Sequence, residues 1–164
     1  ILTSHIIISG ILASKTQNYF LAAAIGLISH YVLDAIPHWD YLLDKFEFRI
    51  KTEKNFIKKK GFWREIIKVT ADALAGFGLL ALFVFLDKDA NIAPLIISAF
   101  FGILPDAIQF LFWLTNWKFI EWNTTLHKFI HYLIYKKINP GFQSGIITQI
   151  AIIGIVFLIL RGGI

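Results

Sequence analysis

Residues 62–86 read FWREIIKVTADALAGFGLLALFVFL, and from Ala73 onward this run carries no charge. A helix of this length, at 1.5 Å per residue, crosses the ~30 Å hydrocarbon core of a bilayer. The charged turn Asp87-Lys88-Asp89 ends it. A second run, 91–114, follows and is expected to be interrupted at Pro105, whose ring removes a helix hydrogen bond. A third, 142–160, opens after Pro140-Gly141, carries no charge and stops at Arg161. Towards the N-terminus lie a short apolar stretch, 3–14, and an apolar helix, 19–37, ending at Pro37. The polar turn Lys15 to Asn18 separates them. Segment 118–137 mixes Trp122, Phe129 and Tyr132 with Lys and Glu, which suits an interfacial or partly inserted helix.

These runs predict an all-α, polytopic membrane helix bundle of about four to six membrane-embedded helices, some short or interfacial, in one domain over 1–164. Composition agrees. Of the residues, 57% are hydrophobic and 16% charged, against about 25% charged in soluble proteins. With no Cys, disulfides and thiolate metal sites are excluded. The chain begins at Ile1 and holds no Met, so its natural start is expected to be missing.

The net charge of +5 is clustered: Lys45, Arg49, Lys51, Lys54, Lys58, Lys59, Lys60 and Arg64 lie between two apolar stretches. Loop 41–60 therefore reads as a cytoplasmic or interfacial segment facing anionic head groups. Asp87–Asp89 then falls outside, and Lys118, Lys128, Lys136 and Lys137 return region 115–140 to the cytoplasm. The expected partners are membrane lipids, and an oligomer or complex partner is compatible with this pattern. Nucleic acid is not expected, because the aromatics lie mostly in the spans. The expected location is a bacterial or archaeal cytoplasmic membrane.

Ionisable groups within spans are costly and by default functional. Seven are expected at similar depth on the cytoplasmic side: His5, His30, Asp34, Asp72, Asp106, His127 and His131. His30 and Asp34 are spaced i,i+4 and share a helix face, and His127 and His131 repeat that spacing. Such pairs hold two ligands of one metal. Neutral imidazole and carboxylate ligands suit zinc, manganese or iron; zinc is the expected ion, and without thiolate the choice stays open. The bland readings are an interhelical hydrogen bond for His5, a neutral polar pair for His30 and Asp34, and snorkelling for His127 and His131. Against them, Asp34, Asp72 and Asp106 cannot all be buried and charged without cations. His38 and Asp40, just past Pro37, are further candidate ligands or supporting partners, or part of an interfacial belt with Trp39 and Tyr41. Leu33-Asp34-Ala35-Ile36 is echoed by Pro105-Asp106-Ala107-Ile108, a short internal repeat or a coincidence.

At Thr3-Ser4-His5 with Gly10, at Leu104-Pro105-Asp106 and at the pair His127 and His131, the chain resembles the bacterial membrane-bound metal-dependent hydrolases, a family that includes a LexA-regulated inner-membrane protein. The segment His30 to Asp40 resembles small membrane proteins of the same kind. The chain departs from the family where Asp106 is followed by Ala107-Ile108, and where the later motif reads His127-Lys128-Phe129-Ile130-His131. The resemblance implies metal-dependent hydrolysis without specifying a substrate.

The leading expectation is thus a membrane-embedded metal-dependent hydrolase acting on a lipid or lipid-linked phosphoester at the cytoplasmic leaflet. Asp72 is the favoured general base, with Asp106 as an alternative. The rival is a non-catalytic membrane protein, either an ion-coupled transporter or a scaffold subunit, with ionisable groups nearer the midplane.

Overall fold

The computed structural model describes residues 2–36, 50, 53, 55–135 and 142–161. Among the described residues the protein is all-helical, with six α-helices and no strand. They are α1 (Leu2–Ala13), α2 (Tyr19–Ala35), α3 (Lys60–Leu86), α4 (Ile92–Thr115), α5 (Glu121–Tyr135) and α6 (Phe142–Arg161). Short 3-10 turns, Phe56–Lys58 and Lys118–Ile120, lead into α3 and α5. Two helices, α3 and α4, are long and apolar enough to cross a membrane. Most of loop 41–60, together with His38 and Asp40, lies outside the described residues.

The organising element is α1, the shortest of the six described α-helices. Its sequence, LTSHIIISGILA, is apolar all round rather than striped, the pattern of a helix buried on every side. It packs against α2, α3, α4 and α6, and Ile6, Ile7 and Ile11 join Leu80, Phe83, Leu95 and Ala99 in the core. Small residues set the separations. Gly10 lies against Leu80, and Gly76 of α3 lies against Thr3 and Ile6. These pairs run in the same order along both helices, so α1 and α3 are parallel. Helix α4 runs the other way: the Asn91 N–H donates to Ser14 O (2.7 Å), and Ser98 Oγ donates to Ser9 O (2.8 Å).

Local signals fix the ends. Asn18 caps α2 by accepting from the Leu21 N–H at 3.1 Å. Asn116, at φ 53°, closes α4 in the left-handed conformation that Asn tolerates. The two apical turns are clasped together: Asn91 Nδ2 donates to Thr16 O, and Lys15 Nζ lies 2.8 Å from Asp87 Oδ2. Lys15 thereby holds the Asp87 carboxyl below its ordinary pKa. At the opposite end Phe56, Phe62, Phe112, Trp113 and Ile120 form a second, aromatic cluster.

One expectation is corrected. Helix α4 is unbroken from Ile92 to Thr115, with Pro105 inside it. Proline deletes one N–H donor without breaking the helix; Pro105 is buried, and its carbonyl accepts from Asn123 Nδ2 of α5.

Helices α2 and α4 are parallel and in register. Gly26 abuts the Ser98 carbonyl, and His30 contacts Gly102, each pair 72 residues apart. The same offset separates Asp34 from Asp106, so the echo seen in the sequence places two carboxylates side by side at one level of the bundle.

Candidate metal centre

Four helices deliver the site. The first turn of α1 supplies His5, the last turns of α2 supply His30 and Asp34, the second half of α4 supplies Asp106, and the middle of α5 supplies His127. Asp34 is the hub. Its Oδ1 lies 3.4 Å from His5 Nε2; its Oδ2 lies 3.0 Å from His30 Nε2 and 2.7 Å from His127 Nε2. Asp106 Oδ1 stands 3.5 Å from His127 Nε2. The rings of His5 and His30 are 4.6 Å apart between centroids, and those of His30 and His127 are 5.1 Å apart. His5, His30, Asp34 and His127 are buried, and Asp106, 25% exposed, is the side open to the surroundings.

The protonation of His30 is constrained by its neighbour. His30 Nδ1 sits 2.8 Å from Gly102 O. A carbonyl oxygen only accepts, so Nδ1 carries the hydrogen. In the neutral ring Nε2 then presents its lone pair to a carboxylate oxygen 3.0 Å away. Two acceptors at that distance repel unless something positive lies between them, either a proton or a metal ion. Fixing one ring nitrogen on a carbonyl so that the other faces an ion is how metal-binding histidines are oriented.

Two groups of three bring their ligand atoms within 4.8 Å of one another: His5, His30 and Asp106; and His30, Asp34 and His127. Both use His30, whose other nitrogen is committed to Gly102, so the two groups describe one position rather than two. Tetrahedral zinc with bonds near 2.0–2.2 Å separates its ligand atoms by roughly 3.3–3.6 Å. The His5–Asp34 and His127–Asp106 spacings fall at that value. The His30–Asp34 and His127–Asp34 contacts are shorter, as for a shared proton, and would open by a few tenths of an ångström around an ion. The donor set, imidazole and carboxylate only, suits zinc, manganese or iron.

Five of the sequence candidates thus meet: His5, His30, Asp34, Asp106 and His127. His131 lies one turn beyond His127 on α5, and its side chain is outside those described. Asp72 stands outside both groups. Its Oδ1 accepts from Thr3 Oγ1 at 2.6 Å, and its Oδ2 accepts from the Thr3 N–H at 3.2 Å. It caps the start of α1 from a neighbouring helix, two residues before His5, as an N-cap side chain does within its own helix. Asp72→Asn, which keeps one acceptor oxygen, is therefore expected to retain metal and turnover with a lower melting temperature. Loss of turnover with metal retained would restore the general-base role. Metal content, activity and a thermal melt on one preparation decide between them.

Sequence reasoning missed the scaffolding around the ligands. Besides Gly102 O, Asn123 Nδ2 donates to Pro105 O at 2.9 Å, and Tyr31 OH donates to Asn123 Oδ1 at 3.3 Å. This ties α2, α4 and α5 together next to Asp106 and His127. Gly102 and Gly26, one turn apart from Asp106 and His30 respectively, were the available signal. Comparison with protein-family models, with curated proteins and with solved structures finds no match to this chain.

Proposed function

We propose that the chain is an integral protein of a bacterial or archaeal cytoplasmic membrane. In this reading His5, His30, Asp34, Asp106 and His127 hold a divalent metal ion, zinc by preference, and the site hydrolyses a lipid or lipid-linked phosphoester at the cytoplasmic leaflet. The observation that carries the metal assignment is the bond of His30 Nδ1 to Gly102 O, which turns the Nε2 lone pair onto Asp34. Charge supports it. One divalent cation neutralises both carboxylates at once, where protons would have to charge two of the histidines. When bound, such an ion supplies Lewis-acid polarisation of a phosphoryl oxygen and an activated water. Zinc in a catalytic site leaves one position to water, and the half-open Asp106 is the residue that would give up its place in the shell and be the candidate to take a proton.

Membrane insertion is supported by α3, of whose apolar stretch only 17% is buried inside the protein. Ile67, Leu74, Leu82 and Phe85 point outward on it, each at least half exposed. A water-soluble protein rarely shows so long an apolar face, whereas lipid covers it without cost. The site lies towards the end of the bundle where α3 begins and α4 ends, the end that carries the basic residues. The orientation has its own test. The natural lack of Cys allows single reporters, and residues 59 and 88 flank the ~40 Å length of α3. Lys88→Cys is expected to react with an impermeant maleimide on whole cells and Lys59→Cys only after lysis; equal labelling from outside would sink the orientation.

The test of the function is metal analysis and phosphatase assay on purified wild type and His127→Ala. One equivalent of metal per chain is expected, falling at least tenfold in the variant together with hydrolysis of phosphatidic acid. Wild type that neither carries nor takes up metal overturns the centre. Metal bound in wild type without hydrolysis of any phosphoester would favour the second reading, a closed structural site in a non-catalytic membrane protein, to which the burial of four of the five ligands already points.

A further inference from the structure

Helix α5 carries its faces the opposite way round from a surface helix of a water-soluble protein. Among its described side chains, the fully buried ones are Asn123, Thr124 and His127, all polar. Its large aromatic groups face out: Trp122 is 61% and Phe129 57% exposed, seven residues apart and so on one side of the helix. Trp117 and Phe119, in the turn that leads into α5, add to this surface; both are exposed, and their rings stack with centroids 5.5 Å apart. Cations are interspersed, with Lys118 and Lys128 both exposed. The turn also adjoins the basic start of α3, because Ile120 shares one buried cluster with Phe62, and Lys59, Lys60 and Arg64 are exposed around Phe62.

We infer that the outward face of α5 and its leading turn docks on the head-group layer of an anionic bilayer, and that this seating strengthens metal binding by holding His127 in the centre. The inference rests on the membrane and metal readings above. The occupant follows from the composition. Tryptophan and phenylalanine interspersed with lysine suit head-group level, where the rings sit in the boundary and the cations meet lipid phosphates. A second copy of this chain on the same face would set its cations against each other.

The coupling follows from how α5 is held. Burying polar side chains brings no hydrophobic gain, so the inner face depends on specific bonds. Asn123 Nδ2 donates to Pro105 O at 2.9 Å, and Asn123 Oδ1 accepts from Tyr31 at 3.3 Å. One turn on, His127 Nε2 lies 2.7 Å from Asp34 and 3.5 Å from Asp106. A tilt of α5 away from α4 would draw His127 off both carboxylates. Metal on the inside and bilayer on the outside therefore hold one helix in one seat, and each strengthens the other by the same factor.

The experiment uses the full chain in lipid nanodiscs containing phosphatidylglycerol. A nitrobenzoxadiazole probe is attached at Thr125→Cys, exposed between Trp122 and Phe129, or at Leu74→Cys, exposed on α3. Nitroxide lipids labelled at the head group are expected to quench the first probe, and lipids labelled deep in the acyl chain the second. Zinc affinity is read by competition with a chelator. Trp122→Ser combined with Phe129→Ser is expected to bind zinc about tenfold more weakly than wild type, within the 5–150-fold usual for coupled sites. Trp122→Phe combined with Phe129→Trp, which keeps two aromatics at the surface, is expected to restore wild-type affinity. Unchanged zinc affinity in the serine variant overturns the coupling. A quenched probe at 74 with an unquenched one at 125 overturns the docking surface, and a disulfide joining two Thr125→Cys chains would then assign the face to a second copy. If neither probe is quenched, the membrane reading falls and the inference with it; if wild type takes up no zinc, the metal centre falls and the coupling with it.

Discussion

Asp34→Asn is expected to lower metal affinity by more than about a hundredfold while leaving the helix bundle folded. Residues that merely support a ligand cost 10–100-fold when removed, and Asp34 is more central than a support. It contacts His5, His30 and His127 at once, at 3.4, 3.0 and 2.7 Å. The asparagine has the same shape, so no cavity opens. Its NH2 group can donate to the Nε2 lone pairs of His30 or His127, which replaces the ion by hydrogen bonds and satisfies the buried rings. The fold is thus protected by the same change that destroys the site. Two measurements separate these effects. Inductively coupled plasma analysis reads metal per chain, and a thermal melt with and without added zinc reads linkage. For the wild type, zinc at a hundredfold excess over its Kd is worth about 2.7 kcal/mol of stability, which appears as a raised melting temperature. For Asp34→Asn the melting temperature should not respond to zinc. An equal zinc response in the two proteins would mean that the ion binds elsewhere, and the cluster would be a hydrogen-bonded polar core.

The sequence was most readable where its periodicity and its costs coincide. The helix ends follow from Lys15 to Asn18 and Asp87-Lys88-Asp89, because a polar turn between apolar runs has few alternatives. Five of the ligand candidates were legible for an energetic reason: a carboxylate or imidazole in an apolar helix must find a partner. What such reasoning does not contain is direction. Helices α1 and α2 are apolar on nearly every side, so no stripe shows which neighbour each face meets. That is why α1, too short to span alone, was not recognised as the element around which four others pack. It is also why Asp72 could not be assigned to Thr3. His127 and His131 have equal claims by spacing, and only the packing of α5 on α2 and α4 turns His127 inward. Pro105 misled in the opposite direction, since a local rule about one missing N–H was overruled by tertiary contact.

Gly26→Ala is expected to disrupt both the fold and the site, though it adds a single methyl group to a helix that should welcome it. Alanine is favoured over glycine within a helix by about 1 kcal/mol. Here that gain is opposed by contact. A Cβ at position 26 would collide with the carbonyl oxygen of Ser98 and stand 2.8 Å from Phe101 Cβ and 3.0 Å from Gly102 N. These are backbone atoms and the root of a side chain, with no rotamer to swing away, so α2 must move off α4 as a unit. Overpacking of this kind typically costs 1–3 kcal/mol. The displacement also has a chemical consequence. His30 is one turn beyond Gly26 on the same face, and its 2.8 Å bond to Gly102 O requires the close approach that Gly26 allows. Parting the helices frees Nδ1, lets the ring turn, and moves Asp34 away from Asp106, so metal content should fall together with melting temperature. Gly78→Ala and Gly154→Ala supply the control, since a Cβ at either position meets nothing within 4 Å. Those variants should keep full metal content and be unchanged or stabilised by up to about 1 kcal/mol. If Gly26→Ala instead behaved like them, α2 and α4 would not be packed in the register that brings Asp34 beside Asp106, and the site would lose its geometric foundation.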